Sequence, residues 1–161
     1  MASVTYKAPS AVLRKDHLQL FSVFLGGSIE KGKAEEWQDK ITKDLEKYDL
    51  LILNPRREGW DSSWTEDKDS PQFREQVEWE LFYQEYADLC IYYFAADTIS
   101  PITLLELGKF SYKPSIVYCD DAYSRKGNLE IFCERYDKFC TNNYDKFIKQ
   151  LIREKKKKYG S

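Results

Sequence analysis

The chain has 161 residues, 42% of them apolar and 16% aromatic, enough for one domain with a real core. Charged residues reach 32%, but the signs are interspersed and the net charge is only -2, so nothing global favours nucleic acid or a membrane surface. No apolar run approaches the ~20 residues that span a bilayer. The N-terminus lacks the apolar stretch and small-residue cleavage site of a secretory leader. The four cysteines, Cys90, Cys119, Cys133 and Cys140, show no C-x-x-C spacing. Cys90 and Cys119 fall in apolar strand-like runs, where reduced core thiols are the expectation. A cytoplasmic protein without disulfides is therefore expected. His17 is the single histidine and gives no basis for a metal site.

Residues 1–15 are polar and aperiodic and read as an extended arm. "LQLFSVFLGG" reads as a buried strand stopped by two glycines. In "KAEEWQDKITKDLEKY", Trp37, Ile41 and Leu45 recur at helical spacing. "LLILNP" is a short apolar strand ended by Asn54-Pro55, and "REGWDSSWTEDKDS" is a polar loop with two tryptophans. "SPQFREQVEWELFYQEYAD" is a helix with Ser70 as expected N-cap and Pro71 in its first turn. "LCIYYFA" is a buried strand. "SPITLLELGKFSY" repeats the Ser-Pro helix start, and "SIVYCD" is another strand. "GNLEIFCERY" and "YDKFIKQLIREKKKK" read as two closing helices, the second with a solvated basic end. The expected division is an arm at 1–15, an α/β domain at 16–152 and a basic tail at 153–161.

Alternating helices and continuously apolar strands predict a doubly wound parallel sheet of about five strands, with helices on both faces. Ligands in such folds sit outside the carboxyl ends of the strands. Here those ends are Gly26-Gly27-Ser28, Asn54–Arg57, Ala95–Ser100 and Cys119–Asp121.

Two acids stand out near these ends. Glu106 lies among Leu104, Leu105 and Leu107 in the first two turns of a helix that starts at the ligand edge. Helix amides stabilise a carboxylate there, and a carboxylate of low surroundings polarity suits a covalent nucleophile. The alternative is a solvent-facing glutamate. Glu80 lies three residues after Val77 and seven before Ala87, on or beside an apolar face, with Gln76 and Gln84 at i±4. A carboxyl half-buried among amides can hold a proton near neutral pH and act as a general acid, or be merely structural. Asp88 reads as a strand-start cap. Gly27 and Ser28 form a loop that lets backbone approach a ligand, though it is not a G-x-G-x-x-G fingerprint. Arg56, Arg57, Trp60 and Trp64 suit a planar base or a phosphate, or form a solvated loop with one docked tryptophan.

"FLGGSI", "VEWELFYQEYADLCIYYF", "SPITLLELG" and "GNLEIF", in this order and spacing, resemble the nucleoside 2-deoxyribosyltransferase family and the related 2-deoxynucleoside 5-monophosphate N-glycosidases. The resemblance spans about Phe21 to Tyr136 and implies a flavodoxin/Rossmann-like domain. It places the family's nucleophile on Glu106 and its acid near the nucleobase on Glu80, where an aspartate is usual. It places the asparagine lent across a subunit interface on Asn128. A sugar-contacting aspartate of the transferases is replaced by Ser100. Ser100 and Ser28 look glycosidase-like, as groups that help to hold phosphate. Phe24 stands where a tyrosine commonly contacts the nucleophile, a place that Tyr92 or Tyr93 could take. With Gly27, Arg56 and Trp60 from the strand-end loops, and Ser28, Ser100 and Asn128 from the resemblance, the expected substrate-binding set is Gly27, Ser28, Arg56, Trp60, Ser100 and Asn128.

The resemblance implies exchange of the base of a 2-deoxyribonucleoside for a free nucleobase through a deoxyribosyl-glutamate, with retention and with no metal or organic cofactor. It also implies a homo-oligomer, dimer or hexamer, with shared sites. No nucleic-acid or membrane partner is expected. Hydrolysis of a 2-deoxynucleoside 5-monophosphate, or nucleotide binding without catalysis, are the alternatives.

Overall fold

The structure, a computed structural model, describes residues 2–10, 13–29, 36–61 and 63–160. The first residues of the expected first helix, 33–35, lie outside that set. The elements are β1 (Val4–Lys7), β2 (Phe21–Gly27), α1 (Trp37–Asp44), β3 (Leu50–Asn54), α2 (Pro71–Tyr86), β4 (Leu89–Phe94), α3 (Pro101–Phe110), β5 (Ser115–Cys119), α4 (Lys126–Arg135), β6 (Phe139–Thr141) and α5 (Tyr144–Tyr159). No helix among the described residues is long and apolar enough to cross a membrane.

All strands are parallel, in the order β1-β3-β2-β4-β5-β6. The chain runs outward from β2 to β3, then crosses back over β2 to β4. The strand order therefore reverses between β2 and β4, which opens a crevice at their carboxyl ends. Side chains alternate across each strand. Phe24, Tyr92, Phe94 and Val117 join Trp79, Tyr83, Leu107 and Leu129 on one face, under α2, α3 and α4. Val23, Leu25, Ile91 and Tyr93 join Trp37, Ile41, Phe147 and Leu151 on the other, under α1 and α5. Burying both faces explains why β2 to β5 read as unbroken apolar runs.

Among the described residues the sheet has six strands rather than about five. The additions are the edges. β1 comes from the polar arm and pairs Val4 with Leu51 through Lys7 with Asn54. β6 is three residues long and pairs Ile116 with Phe139. An edge strand has one neighbour and partial burial, so neither "VTYK" nor "FCT" carries the apolar signature of a central strand.

Both Ser-Pro sites start helices with proline in the first turn, as expected. Neither serine makes a side-chain cap. Ser100 has φ 52 and ψ 54, left-handed rather than the extended backbone that a capping serine uses, and its hydroxyl is turned back on the strand ends. Asp88 does serve the start of β4: it accepts hydrogen bonds from the Ser22 amide (2.9 Å) and hydroxyl (3.1 Å) and pairs with Lys158.

Candidate active site

The crevice begins with a steric demand. A Cβ at Gly27 (φ 154) would lie 2.5 Å from both the Trp37 ring and the Tyr93 carbonyl oxygen. Trp37 stacks on Tyr93, with centroids 4.7 Å apart, and Tyr93 on Tyr118 at 4.4 Å. The Trp37 indole N–H donates to the Ser28 carbonyl (3.0 Å). Only glycine lets β2 end against this stack, and Ser28 is thereby pointed toward β4.

There Ser28, Thr98 and Ser100 form a closed triangle of buried hydroxyls. Ser28 Oγ lies 2.5 Å from Ser100 Oγ and 3.0 Å from Thr98 Oγ1, and the last two are 3.0 Å apart. The Ala95 amide donates to Ser28 Oγ (3.1 Å). Three hydroxyls meet where α3 begins, a place favourable to an anion by helix polarity.

The two acids come from different helices. Glu80 projects from α2 and Glu106 from α3, and both are half-buried. Between them stands Gln84, fully buried. Its Nε2 donates to Glu106 Oε2 and to the Glu80 backbone carbonyl (3.1 Å). Its Oε1 accepts from the Tyr92 hydroxyl (2.9 Å). Burial holds that hydroxyl protonated by raising its pKa, and since an amide oxygen can only accept, the hydroxyl is the donor. A fixed relay, Tyr92 to Gln84 to Glu106, orients the carboxylate. Glu80 Oε1 accepts from Gln76 Nε2 (3.3 Å), which also donates to the Pro55 carbonyl (2.6 Å).

These surroundings set the charges. Burial pushes the Glu106 carboxyl up to about 7, against the opposing pull of the Gln84 amide. Burial, and then the charge of Glu106, push the Glu80 carboxyl up to about 8, against the Gln76 amide. Near neutrality Glu106 is the one that ionises, and its charge keeps the proton on Glu80. Two carboxyls driven to different protonation states match a nucleophile and an acid.

The other expected residues are placed less uniformly. Phe24 is buried against Trp79, and the hydroxyl that serves Glu106 comes from Tyr92, through an amide. Tyr93 faces the opposite side of the sheet. Arg56 is held by its own surroundings: its amide donates to Asn54 Oδ1 (3.0 Å), its guanidinium to Gln38 Oε1 (3.2 Å), and Glu36 lies 3.7 Å away. Trp60 meets Trp64 edge-on at 4.9 Å, with the Arg57 guanidinium over both rings and paired to Glu75 (2.6 Å). Asn128 is exposed on α4, at an apolar hollow of about 170 Å³ that it shares with Leu104, Leu107, Gly108, Leu129 and Phe132. Sequence reasoning put Gln84 beside Glu80 by its i+4 spacing. Its side chain does bond the Glu80 backbone carbonyl, but it also bonds the Glu106 carboxylate, which no spacing within α2 reveals. The sequence marks Asn54 only as the end of its strand, and nothing in it marks Thr98 or Gln38.

The all-parallel α/β sheet, with its strand order reversed between β2 and β4, is of the doubly wound class, whose members bind small molecules outside the carboxyl ends of the strands. Residues 20–123 match the family model described as nucleoside 2-deoxyribosyltransferase like, and the chain belongs to that family. The match includes Ser28, Arg56, Trp60, Glu80, Ser100 and Glu106 and ends before Asn128. A comparison with curated proteins found no match.

Proposed function

We propose that the protein is a nucleoside 2-deoxyribosyltransferase. The observation that carries this reading is the acid pair: Glu106 oriented by Gln84 and ionised first, beside Glu80 that keeps its proton. In the first step a Glu106 oxygen bonds to C1′ of the 2-deoxyribosyl group as the glycosidic bond breaks. The bonding pair leaves with the base, and Glu80 delivers its proton to the base nitrogen. The transition state resembles an oxocarbenium ion. It forms more readily without a 2-hydroxyl, so ribonucleosides are poorer donors. A free base then attacks C1′, gives its proton to Glu80 and expels Glu106. Two displacements retain the configuration. The chemistry needs no metal or organic cofactor.

The site residues take their roles from this scheme. Glu106 is the nucleophile and Glu80 the acid. Gly27, Ser28 and Ser100 line the sugar end, and Arg56 and Trp60 the base end. Asn128 serves the site of a neighbouring subunit. Exposed Phe82, Ile102, Leu105 and Ile131 on α2, α3 and α4 support an oligomer, because such apolar area is normally covered.

A second reading is favoured by the hydroxyl triangle of Ser28, Thr98 and Ser100, which suits a 5′-phosphate and hydrolysis of the monophosphate. One assay separates the two. A 2-deoxynucleoside or its 5′-monophosphate is incubated with a different free base, and base exchange and sugar release are both followed. Transfer predicts a new deoxynucleoside formed faster than free deoxyribose. Release of deoxyribose phosphate without any exchange establishes the hydrolase, and no turnover with saturable binding establishes a binding protein.

A further inference from the structure

We infer that Gln38, Asn54 and Gln76 form a reader for the lactam edge of an oxo-nucleobase, held in place by Arg56 and joined to Glu80. The inference rests on the reading of Glu80 as the acid that faces the leaving base.

Asn54 ends β3 and Gln38 is the second residue of α1; both are fully buried. Arg56 takes the oxygen of each amide, Asn54 Oδ1 with its backbone N–H and Gln38 Oε1 with its guanidinium. Flipping either amide would set an NH₂ group against an N–H donor, so both orientations are determined. Asn54 Nδ2 and Gln38 Nε2 are then left as buried donors with no hydrogen-bond partner among the described residues. Gln76 is their mirror image. Its Nε2 serves Pro55 and Glu80, and its Oε1 is a buried acceptor with no partner among the described residues. Buried polar atoms are nearly always paired. Three orphaned amide atoms tied to the short stretch Asn54–Arg56 are a concentrated departure.

Two donors and one acceptor complement a ring C=O with its adjacent N–H, the edge shared by 6-oxopurines and 4-oxopyrimidines. An amino base presents donors where those donors point. The location agrees. The cluster lies at the carboxyl end of β3, and Gln76 bridges Pro55 to Glu80, so a base seated here meets the acid that protonates it. The hydroxyls of Ser28, Thr98 and Ser100 belong instead to the ends of β2 and β4. Arg56, whose side chain is 38% exposed, is the accessible member of the cluster and marks the side from which a base reaches it.

The test uses Asn54→Asp and Gln38→Glu. Each keeps the oxygen that Arg56 holds and turns the orphaned donor into an acceptor. Calorimetric Kd values are measured for 2-deoxyinosine, 2-deoxyadenosine, 2-deoxyuridine and 2-deoxycytidine, in a Glu106→Ala background so that nothing is cleaved. The background protein should prefer the oxo member of at least one pair by about tenfold, the order of one hydrogen bond, and the ring showing the preference identifies the natural base class. Each variant should lose or invert that preference. Equal affinities in the background, uniform weakening in the variants, an unchanged preference, or no binding of any nucleoside would overturn the inference. Gln38→Met, of similar shape but without the donor, replaces any charged variant that fails to fold by thermal melt. Turnover with Glu106 intact is read separately. Selective binding without turnover would sink the transferase reading and leave this one standing.

Discussion

Replacing Glu80 by glutamine removes a proton donor and a titrating group while keeping shape, and the acid pair makes its consequences calculable. The proposed reaction needs Glu106 ionised and Glu80 protonated. With carboxyls at about 7 and about 8, roughly three-fifths of the molecules hold that state at pH 7.5, and only about a tenth at pH 6 or pH 9. The wild-type kcat/KM should therefore trace a narrow bell, rising as Glu106 ionises and falling as Glu80 loses its proton. In Glu80→Gln the maximum should drop by about a hundredfold or more, the usual worth of a positioned acid. The alkaline limb should vanish, because nothing near 8 is left to titrate. The acid limb should stay near 7, because Glu80 is neutral while Glu106 ionises and so does not perturb it. The loss should be smallest for donors whose base departs unaided. The assay is base release followed chromatographically from pH 5 to 10 with a fixed acceptor base. Persistence of an alkaline limb near 8 in Glu80→Gln would assign it to another group and refute the proton-donor role.

Glu106→Ala should lower turnover roughly a thousandfold or more without unfolding the helix, and mass spectrometry of the wild type with substrate should find a deoxyribosyl adduct on Glu106; near-normal activity would remove it from the chemistry. Gln84→Met deletes the amide that lowers the Glu106 carboxyl, so the acid limb of the same profile should move up by about one unit, and an unmoved limb would deny the relay. Stability should carry the matching sign. Both folded-state values lie above the ordinary 4.5, so the native state binds more protons than the unfolded one between about 4.5 and 8; that stabilisation is complete below the window and lost through it. Denaturant melts should accordingly show the wild type weaker at pH 9 than at pH 5 relative to Glu80→Gln, with parallel curves as the contrary result. Gly27→Ala should cost about 1–3 kcal/mol by driving a methyl into Trp37 and the Tyr93 carbonyl, read as a Tm lower by several degrees; an unchanged Tm would mean that the stack yields freely.

The sequence by itself determined the class of fold, because β2, β3, β4 and β5 are buried on both faces and so spell continuous apolar runs between helical periods. It also exposed Glu106 and Glu80, since a carboxylate inside an apolar helix face breaks the local pattern. The edges β1 and β6 escaped, because a strand with one neighbour needs no apolar run. What only tertiary structure decided was which groups meet. Gln84 is four residues from Glu80, yet its side chain bonds Glu106, twenty-two positions away, because α2 and α3 pack on the same face of the sheet. Ser100 reads as a helix cap but turns its hydroxyl to Ser28, seventy-two positions away, because its backbone is left-handed. Asn54 and Gln38 look like ordinary polar residues until Arg56 pins both and leaves their donors unpaired. Local pattern registers a residue's solvent and helix neighbours. Partners brought together by the crossing from β3 over β2 to β4 leave no local trace, and the chemistry of the site is made of those partners.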